Sequence, residues 1–425
     1  MSELVKVIGI KKENCINCHR CIAVCPVKYC NDGSGDYVEL NDDMCIGCGA
    51  CIEACLEAHD GDKNKVARYP LDDLQEFEAG LASGQEIAAL VAPSAYCNFD
   101  AARLITALKS MGVQAVFDVS LGAEITVAAY QELLASGKFK LPLIAQPCPA
   151  IVKYIEIEHP DLIGHLVPSG SPVHDAAVYI KEKYPHYTLA FISPCLAKKR
   201  EFEDSKIIKY NVTFQSLEKM FRRNGLQLES LPKGSFDDSV EAEIAVNFST
   251  PGGLKESFLY WFPETKPQMI TKIEGPLVYE KYLADLERDV KLNKAHLPLV
   301  VDILNCEKGC NMGPGTINHY DSIDWIEGKI AERVERKKNN LKNKRALRRF
   351  LKTVVERYDF SYTHYRDLSA NFKIKKPTEN ELREIYQRMH KETDDDMRNC
   401  RSCGYRSCYD MAVAIFNGLN KPDNC

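Results

Sequence analysis

Two stretches near the N-terminus decide the architecture of the first part of the chain. Residues 15–26 read CINCHRCIAVCP, and residues 45–56 repeat the same spacing as CIGCGACIEACL. The spacing C-x2-C-x2-C-x3-C is typical of runs that bind paired [4Fe-4S] clusters, in which the fourth cysteine of each run ligates the other cluster. We therefore predict one cluster on Cys15, Cys18, Cys21 and Cys55, and a second on Cys45, Cys48, Cys51 and Cys25.

The remaining cysteines extend this pattern. Sixteen of the 18 cysteines fall into four sets of four. The third set is Cys400, Cys403, Cys408 and Cys425, and the fourth is Cys148, Cys195, Cys306 and Cys310. Cys30 and Cys97 are left over and are predicted to be buried structural thiols. Zinc is the alternative to a cluster, above all for the third set, because zinc also takes four thiolates.

Composition narrows the class of protein. A chain of 425 residues is long enough for two to four domains, and a net charge of -5 argues against nucleic acid as a partner. The sequence has no run of eighteen apolar residues, so no membrane span is predicted, and its N-terminus lacks the apolar core of an export signal. Because thiolates at this density suit a reducing compartment, we expect a cytoplasmic protein of an anaerobic bacterium.

The order of apolar and polar segments predicts four regions. Residues 1–75 form a two-cluster, ferredoxin-like α+β domain, with a strand at Asp36–Leu40. Residues 76–330 alternate short apolar runs with helical stretches, which indicates a central, two-lobed α/β domain with parallel sheets. Residues 331–395 form a charged helical region, and residues 396–425 a small cluster module. The predicted fold class is therefore α/β.

In the central region, residues that could bind a ligand or a metal follow directly after several predicted strands. These strands are Ile87–Ala92, Ala115–Val119, Leu141–Ala145, Leu189–Ile192, Ile244–Val246 and Leu299–Leu304. Four of them are followed by Pro93-Ser94, Pro147-Cys148, Pro194-Cys195 and Asn305-Cys306. Because ligands in parallel sheets bind beyond the carboxyl ends of the strands, we expect these residues to converge on one rim, with Cys310 close by.

A basic run lies between Arg333 and Arg357 and includes Lys337, Lys338, Lys344, Arg345, Arg348 and Arg349. A solvated helix face is the first interpretation of such a run. A docking surface for an acidic electron carrier such as ferredoxin is the second. DNA binding is a distant third, because no recognition motif accompanies the charge.

The C-terminal segment has the spacing C-x2-C-x4-C-x16-C and resembles the small cluster-binding module of corrinoid iron–sulfur proteins and of the Rnf electron-transport complex. The likeness is carried by Cys400, Cys403, Gly404, Cys408, Ala414, Ile415, Gly418 and Cys425. This resemblance implies a further [4Fe-4S] cluster.

Three central segments resemble the active-site signatures of [FeFe]-hydrogenases. They are Gln146–Ala150 (QPCPA), Ser193–Glu201 (SPCLAKKRE) and Leu304–Gly315 (LNCEKGCNMGPG). They stand in the order of the family's motifs and follow a double ferredoxin run. The resemblance covers residues 1 to about 330.

The resemblance implies a role for each matching residue. Cys148, Cys195, Cys306 and Cys310 would hold the [4Fe-4S] cube of an H-cluster, and Cys310 would bridge it to a diiron unit with CO, cyanide and azadithiolate ligands. Lys198 and Ser94 would contact the two cyanides. The cofactor would also be lined by Pro93, Phe248, Gly252, Gly253, Gly313 and Gly315. Together with the other sets, this implies four [4Fe-4S] clusters.

The chain departs from the family pattern along the proton path. Pro147 stands where the fast enzymes have a proton-donating cysteine, and the segment Gly122–Tyr130 (GAEITVAAY) lacks the family's glutamate pair. The motif methionine is Ser193, and the family's Ser-Pro-Gln is Ser171–Val173. Candidates for another relay are Cys97, His174, Glu201 and Glu307. These departures are similar to those of the divergent members of the family.

Three functions are weighed against one another. The first is an [FeFe]-hydrogenase that exchanges electrons with ferredoxin or a similar carrier and acts on H2 and protons. The second is a hydrogen sensor of low turnover, and the third is an iron–sulfur carrier without a diiron unit. The expected partners also include hydrogenase maturation proteins and, as one option, a second copy of the chain in a homodimer.

Overall fold

The computed structural model describes residues 4–338 and 341–425. Its strands are β1 (Ile8–Ile10), β2 (Asn31–Asp32), β3 (Glu39–Leu40), β4 (Arg68–Pro70), β5 (Ile87–Val91), β6 (Ala115–Asp118), β7 (Leu143–Ile144), β8 (Thr188–Ser193), β9 (Tyr210–Thr213), β10 (Ile270–Glu274) and β11 (Val300–Leu304). Its α-helices are α1 (Arg20–Ala23), α2 (Ala50–Ala58), α3 (Leu74–Ala82), α4 (Ala101–Ser110), α5 (Val119–Ser136), α6 (Pro149–Glu158), α7 (Pro172–Lys183), α8 (Lys198–Ser205), α9 (Phe214–Arg223), α10 (Gly253–Trp261), α11 (Leu283–Lys291), α12 (Ile323–Lys338), α13 (Leu341–Arg357), α14 (Glu379–Arg388) and α15 (Cys408–Phe416).

The chain divides into two compact units. The terminal unit comprises the residues up to Leu71, Glu156–Pro160 and Asp367–Cys425. The central unit comprises Asp72–Ile155 and Asp161–Arg366. The finer division into four regions stays a prediction.

The central unit contains two parallel sheets, as the apolar runs predicted. The first has the strand order β6-β5-β8-β9 and the second the order β10-β11-β7. Ala89 of β5 lies opposite Val116 of β6 and Ala190 of β8, so β5 is an inner strand. All five residues of β5 are buried, as expected for a parallel strand covered on both faces.

The terminal unit is built from short elements. Strands β1 and β4 pair antiparallel, and so do β2 and β3. The strand predicted at Asp36–Leu40 is therefore shorter than expected and consists of Glu39–Leu40 alone. Helices α1 and α2 each begin within a cysteine run, at Arg20 and Ala50.

In the central unit, one predicted strand is wrong and two strands were missed. Residues Ile244–Asn247 form a 3-10 turn, because the carboxylate of Glu124 accepts the backbone N–H groups of Glu243 and Ala245. The missed strands β9 and β10 lie at sheet edges and read YNVT and ITKIE, in which polar residues interrupt the apolar pattern.

The basic run falls on α12 and α13, and several of its cations bind within the central unit. Arg333 is 2 % exposed, forms an ion pair with Asp118 and stacks on the ring of Tyr96. The guanidinium of Arg348 lies 5.4 Å from the ring centroid of Trp261. Arg333 is therefore a buried part of the central unit and fits none of the three interpretations, whereas Arg348 is exposed, as a solvated helix face predicts.

A search of the described residues for a membrane-crossing helix finds none that is both long and apolar enough.

The packing of α5 on α7 depends on Gly122. A Cβ atom at this position would lie 2.0 Å from the carbonyl oxygen of Pro172 and 2.7 Å from the Cβ of Ala176. We predict that Gly122→Ala lowers the free energy of unfolding by about 1–3 kcal/mol or more, because both neighbours belong to a packed helix. Gly328→Ala on α12 is the matched control, since no described heavy atom lies within 4 Å of its added Cβ. It should be neutral or stabilise by up to about 1 kcal/mol. Anaerobic urea unfolding followed by circular dichroism tests both, and equal effects would contradict the prediction.

Candidate functional site

The central cysteines lie in loops that follow strands of both sheets. Cys148 comes shortly after β7, Cys195 follows β8, and Cys306 follows β11. Cys310 begins a 3-10 turn, Cys310–Met312. The predicted convergence therefore draws on the carboxyl ends of two sheets, whereas the sequence suggested only one rim.

The four thiols lie close enough to interact electrostatically. Burial, together with the thiolates of Cys310, Cys148 and Cys195, holds the pKa of Cys306 well above its usual range. Burial and the Cys148 thiolate raise the pKa of Cys195 to about 11. Four buried sulfurs that repel one another as thiolates form a ligand set that iron would neutralise.

Backbone N–H groups point at two of these sulfurs. Cys148 accepts from Ala150 and Ile151, at the start of α6, and from Asn305, directly after β11. Cys195 accepts from Lys198 and Ala197, at the start of α8. Helix N-termini favour negative charge, and hydrogen bonds to sulfur are typical of iron–sulfur ligands. Within the described part of the chain, no three His, Cys, Asp or Glu side chains are grouped tightly enough to hold a single metal ion.

Lys198 brings a positive charge to this set. Its side chain is 9 % exposed, and its charge acts on the thiols of Cys148, Cys195 and Cys310. Its Nζ donates to Ser171 Oγ at 2.8 Å and to Glu201 Oε2 at 2.5 Å. The structure thus gives Lys198 two protein partners that the motif alone did not predict.

Ser94 follows β5 in a 3-10 turn, Pro93–Cys97, and is fully buried. Its Oγ has no hydrogen-bond partner among the described residues. The turn lies beside that of Cys310, since Asn98 Nδ2 donates to both Ser94 O (2.9 Å) and Asn311 O (3.4 Å). A buried hydroxyl left unpaired costs about 1–3 kcal/mol, so its position suits a cofactor ligand that accepts this hydrogen bond.

Phe248 and the glycines lie in loops that pack against the cysteine turns. The N–H of Cys310 donates to Ser249 O at 2.8 Å, directly after the buried Phe248. A Cβ at Gly313 would lie 2.7 Å from Pro194 O, and one at Gly315 would lie 3.0 Å from Pro194 C. These two glycines therefore let the Cys310 loop approach the Cys195 loop.

The remaining predicted glycines have similar structural settings. A Cβ atom at Gly253 would lie 2.1 Å from Asn247 O. The backbone of Gly252 has a φ of +86°. Their contact with a cofactor stays a prediction.

Glu124 is a residue that sequence reasoning missed. It is fully buried and accepts from Glu243 N, Ala245 N and Trp261 Nε1, the last at 2.6 Å. It thereby fixes the turn that leads into Phe248. The signal that could have identified Glu124 is the presence of an acidic residue in the first half of α5, which is buried.

The relay candidates have different settings. Burial raises the pKa of Cys97 to about 12, and its S–H donates to Ser94 O, which favours a structural thiol. His174 is buried beside Asp175, at 3.5 Å. Glu201 contacts Lys198, whereas Glu307 is exposed.

The terminal unit brings together seven of the eight cysteines of the two ferredoxin-type runs in the predicted sets, while the place of Cys55 in the first set stays a prediction. The thiol of Cys51 interacts with those of Cys48, Cys45 and Cys25, and that of Cys21 with those of Cys15 and Cys18. Cys55 Sγ accepts the N–H of Ala67 at 3.3 Å.

Cys30 lies next to the second set. Hydrogen bonds with Cys25 and Cys45, and then burial, hold its pKa well above its usual range. It therefore stays a protonated donor beside two predicted ligands, in keeping with a structural role.

Arg68 links the two ferredoxin-type sets and was also missed. It is 2 % exposed, its Nη2 lies 3.8 Å from Cys21 Sγ, and its charge acts on the thiols of both Cys21 and Cys51. Carbonyl oxygens of Asn31 (side chain) and Val38 (backbone) hold the same nitrogen at 3.1 and 2.9 Å.

The C-terminal set is brought together in the same unit. The thiol of Cys403 interacts with those of Cys425 and Cys400. Cys408 begins α15, and its N–H donates to Asn399 Oδ1 at 2.8 Å.

Comparison with known families identifies the fold. Residues 85–314, more than half of the chain, match the family model "Iron only hydrogenase large subunit, C-terminal domain". Residues 7–56 match a "4Fe-4S dicluster domain", and residues 396–425 match a module described as "Putative Fe-S cluster". The chain therefore belongs to the iron-only, or [FeFe]-, hydrogenase family, of which it is a divergent member.

Individual relatives are distant. The chain is 26 % identical over 295 residues to the NADP-reducing hydrogenase subunit HndD of Solidesulfovibrio fructosivorans, covering 58 % of this chain and 50 % of the relative. It is 25 % identical to the periplasmic [Fe] hydrogenase large subunit of Nitratidesulfovibrio vulgaris, covering 52 % of this chain and 67 % of the relative. The chain thus spans half to two thirds of these relatives.

A solved [FeFe]-hydrogenase structure, studied for oxygen inactivation of the H cluster, superposes with a TM-score of 0.53 at 17 % identity. The match covers 70 % of this chain and 99 % of that one, and at this identity it establishes the fold.

Glu124 should make stability depend on pH. Burial raises its pKa to about 7 from an ordinary 4.5, so the folded protein holds this proton more tightly than the unfolded chain does. Stability contributed by the proton is complete below pH 4.5 and is lost as the pH rises to 7, by roughly 3 kcal/mol. Glu124→Gln should remove this pH-dependent loss. The free energy of unfolding of the variant should therefore increase relative to that of the wild type as the pH rises. Urea unfolding at several pH values tests this, with Glu218→Gln on the surface of α9 as the control. Parallel curves for wild type and Glu124→Gln would contradict it.

Proposed function

We propose that the protein is an [FeFe]-hydrogenase that interconverts H2 with two protons and two electrons. The observation that carries the proposal is the central cysteine set, with the Lys198 charge beside three of its thiols and the unpaired Ser94 hydroxyl on the neighbouring turn. A plain [4Fe-4S] cube needs only the four thiolates. The lysine and the serine suit a further group that is anionic and accepts hydrogen bonds.

Each residue has a part in this reaction. When bound, the diiron unit with its CO, cyanide and azadithiolate ligands supplies the heterolytic cleavage of H2. Cys310 would bridge that unit to the cube, and the ammonium of Lys198 would balance the charge of one cyanide. The hydroxyl of Ser94 would donate to the other. Phe248 and the buried loop around it would keep water away.

Electron exchange would use the remaining cysteine sets. We place a [4Fe-4S] cluster on each of the two ferredoxin-type sets and on the C-terminal set, with ferredoxin or a similar one-electron carrier as the external partner. Hydrogenase maturation proteins would build and insert the diiron unit. The grouping of most of these cysteines supports the four clusters, and Cys55 and Cys408 are assigned to their sets by spacing alone.

Hydrogen sensing is the second candidate, and Pro147 is the observation that favours it. A proline has no proton to transfer, and a placed acid or base typically contributes about 100- to 10,000-fold to such a rate. Tyr130, in the segment that lacks the family's glutamate pair, donates to Gln146 Oε1. Slow turnover would suit a sensor.

Infrared spectroscopy tests the proposed function. Protein made anaerobically with hydrogenase maturases should show iron-bound CO and cyanide bands that shift between argon and H2. Turnover with a viologen dye then separates an enzyme from a sensor. Absence of the bands, with the cubes present and the maturases active on a control hydrogenase, would leave an iron–sulfur carrier.

Lys198 and its neighbour form a matched pair for this assay. We predict that Lys198→Met loses most of the CO and cyanide absorption at an unchanged content of cube iron, because the buried cation would no longer offset the cyanide charge. Lys199→Met should keep the bands, since Lys199 pairs with Asp73 outside the cysteine set, at 2.6 Å. Equal band intensities in the two variants would rule out this role for Lys198.

Ser94 should behave differently with and without the diiron unit. Before maturation, Ser94→Ala removes an unpaired buried hydroxyl, so unfolding should be unaffected or about 1 kcal/mol less favourable. After maturation, the same change should move a cyanide band. Ser205→Ala is the control, because its hydroxyl is likewise buried and without a partner among the described residues. Unmoved cyanide bands in Ser94→Ala would exclude the contact.

A further inference from the structure

The C-terminal cysteine module packs against the first ferredoxin-type run within the terminal unit. The N–H of Gly33 donates to Leu419 O at 2.9 Å, and Asn424 Nδ2 donates back to Gly33 O at 3.0 Å. Lys28 Nζ and Asp410 Oδ1 form an ion pair at 3.4 Å. Residues almost 400 positions apart in the sequence are thus joined by backbone, side-chain and charge contacts.

The closest approach falls directly beside two cysteine sets. Gly404, with φ +88°, follows Cys403. A Cβ at Gly404 would lie 2.9 Å from both His19 O and Ile22 Cβ. These two residues flank Cys21, so the turn after Cys403 touches the backbone that carries the N-terminal ligands. A side chain at position 404 would force the two modules apart.

Tyr405 fills the space between the modules. It is 5 % exposed, and its ring stacks on Tyr29 with the centroids 5.9 Å apart. Its hydroxyl lies within electrostatic range of the thiols of both Cys403 and Cys25. Cys25 in turn interacts with Cys51 of the second ferredoxin-type set. Tyr405, two residues after Cys403, thus packs directly on Tyr29, four residues after Cys25, and joins the C-terminal set to the second set.

The same unit also ties the C-terminal module down from its other side. Lys375 N donates to Asn417 Oδ1 at 2.9 Å, and Asn417 Nδ2 donates to Lys375 O at 2.8 Å. Helix α15 is buried along Met411–Ile415. These contacts fix the C-terminal module within the unit. A module that moved separately to pass a signal to a partner would not need them.

We propose that the C-terminal cluster exchanges single electrons directly with the cluster that contains Cys25, so that the terminal unit is one three-cluster relay. The relay is exposed at Cys18 in the first set and at Cys400 and Cys425 in the third. Each step oxidises one cluster as it reduces its neighbour, and two such electrons leave for every H2 cleaved. The inference rests on the proposed function for the source of the electrons, but the coupling of the clusters can be measured without it.

Electron paramagnetic resonance of the full chain tests the relay. Anaerobic protein with its cubes, with no diiron unit required, is reduced stepwise with dithionite. In the fully reduced protein we expect the signals of the second and third clusters to be broadened and split by their mutual magnetic interaction, which falls off steeply with distance. Cys400→Ser/Cys425→Ser removes two exposed ligands of the third set with little loss of packing, and the splitting due to the third cluster should disappear, leaving the interaction between the first and second clusters. Cys97→Ser, outside all four sets, is the control and should keep it.

Two results would overturn the inference. One is a wild-type spectrum equal to that of the double variant plus an isolated [4Fe-4S] signal. The other is a wild type with three cluster signals only, from the two ferredoxin-type sets and the central set, as a zinc-bound third set would give. The wild-type spectrum decides alone if the double variant does not fold. Since the cubes are measured without the diiron unit, missing infrared bands would reject the proposed function and leave a positive result here intact.

Discussion

The convergence of four cysteine thiols, which would repel one another as thiolates, is the constraint on which the central unit depends. Buried charges are tolerated only when they are paired or bound to metal, and here Cys148, Cys195, Cys306 and Cys310 all lie in loops after strands. Parallel strands suit this task, because their carboxyl ends meet at one edge and leave each loop free to turn inward. The N-termini of α6 and α8 and the ammonium of Lys198 then add positive potential around the same sulfurs.

Close backbone packing serves the same end. Gly313 and Gly315 let the loop of Cys310 lie against Pro194, beside Cys195, and Ser249 O holds the N–H of Cys310 itself. Glu124 holds the turn before Phe248 in place by accepting three hydrogen bonds. The site is thus positioned by contacts between loops, and these loops are held in turn by a buried acid.

The features that could be predicted from the sequence are those with a characteristic local spacing of residues. The cysteine runs, the motif around Lys198 and the apolar inner strands have short local signatures. Prediction failed where a distant side chain decides the outcome: Ile244–Val246 looks like a strand until Glu124 takes its N–H groups. Edge strands such as β10 are half polar and resemble loops. Nothing in the sequence near Arg68 indicates that it reaches Cys21, because that contact depends on tertiary structure alone.

Arg68 has a consequence for the energetics of electron flow. A guanidinium keeps its proton at any physiological pH, so the positive charge beside Cys21 and Cys51 is permanent. Net charge and hydrogen bonds at the sulfurs set the reduction potential of an iron–sulfur cluster, and a nearby cation favours the reduced, more negative state. One buried side chain would therefore raise the potentials of both predicted clusters together. Loss of this charge, as in an Arg68 substitution by a neutral residue, would shift both potentials in the same direction.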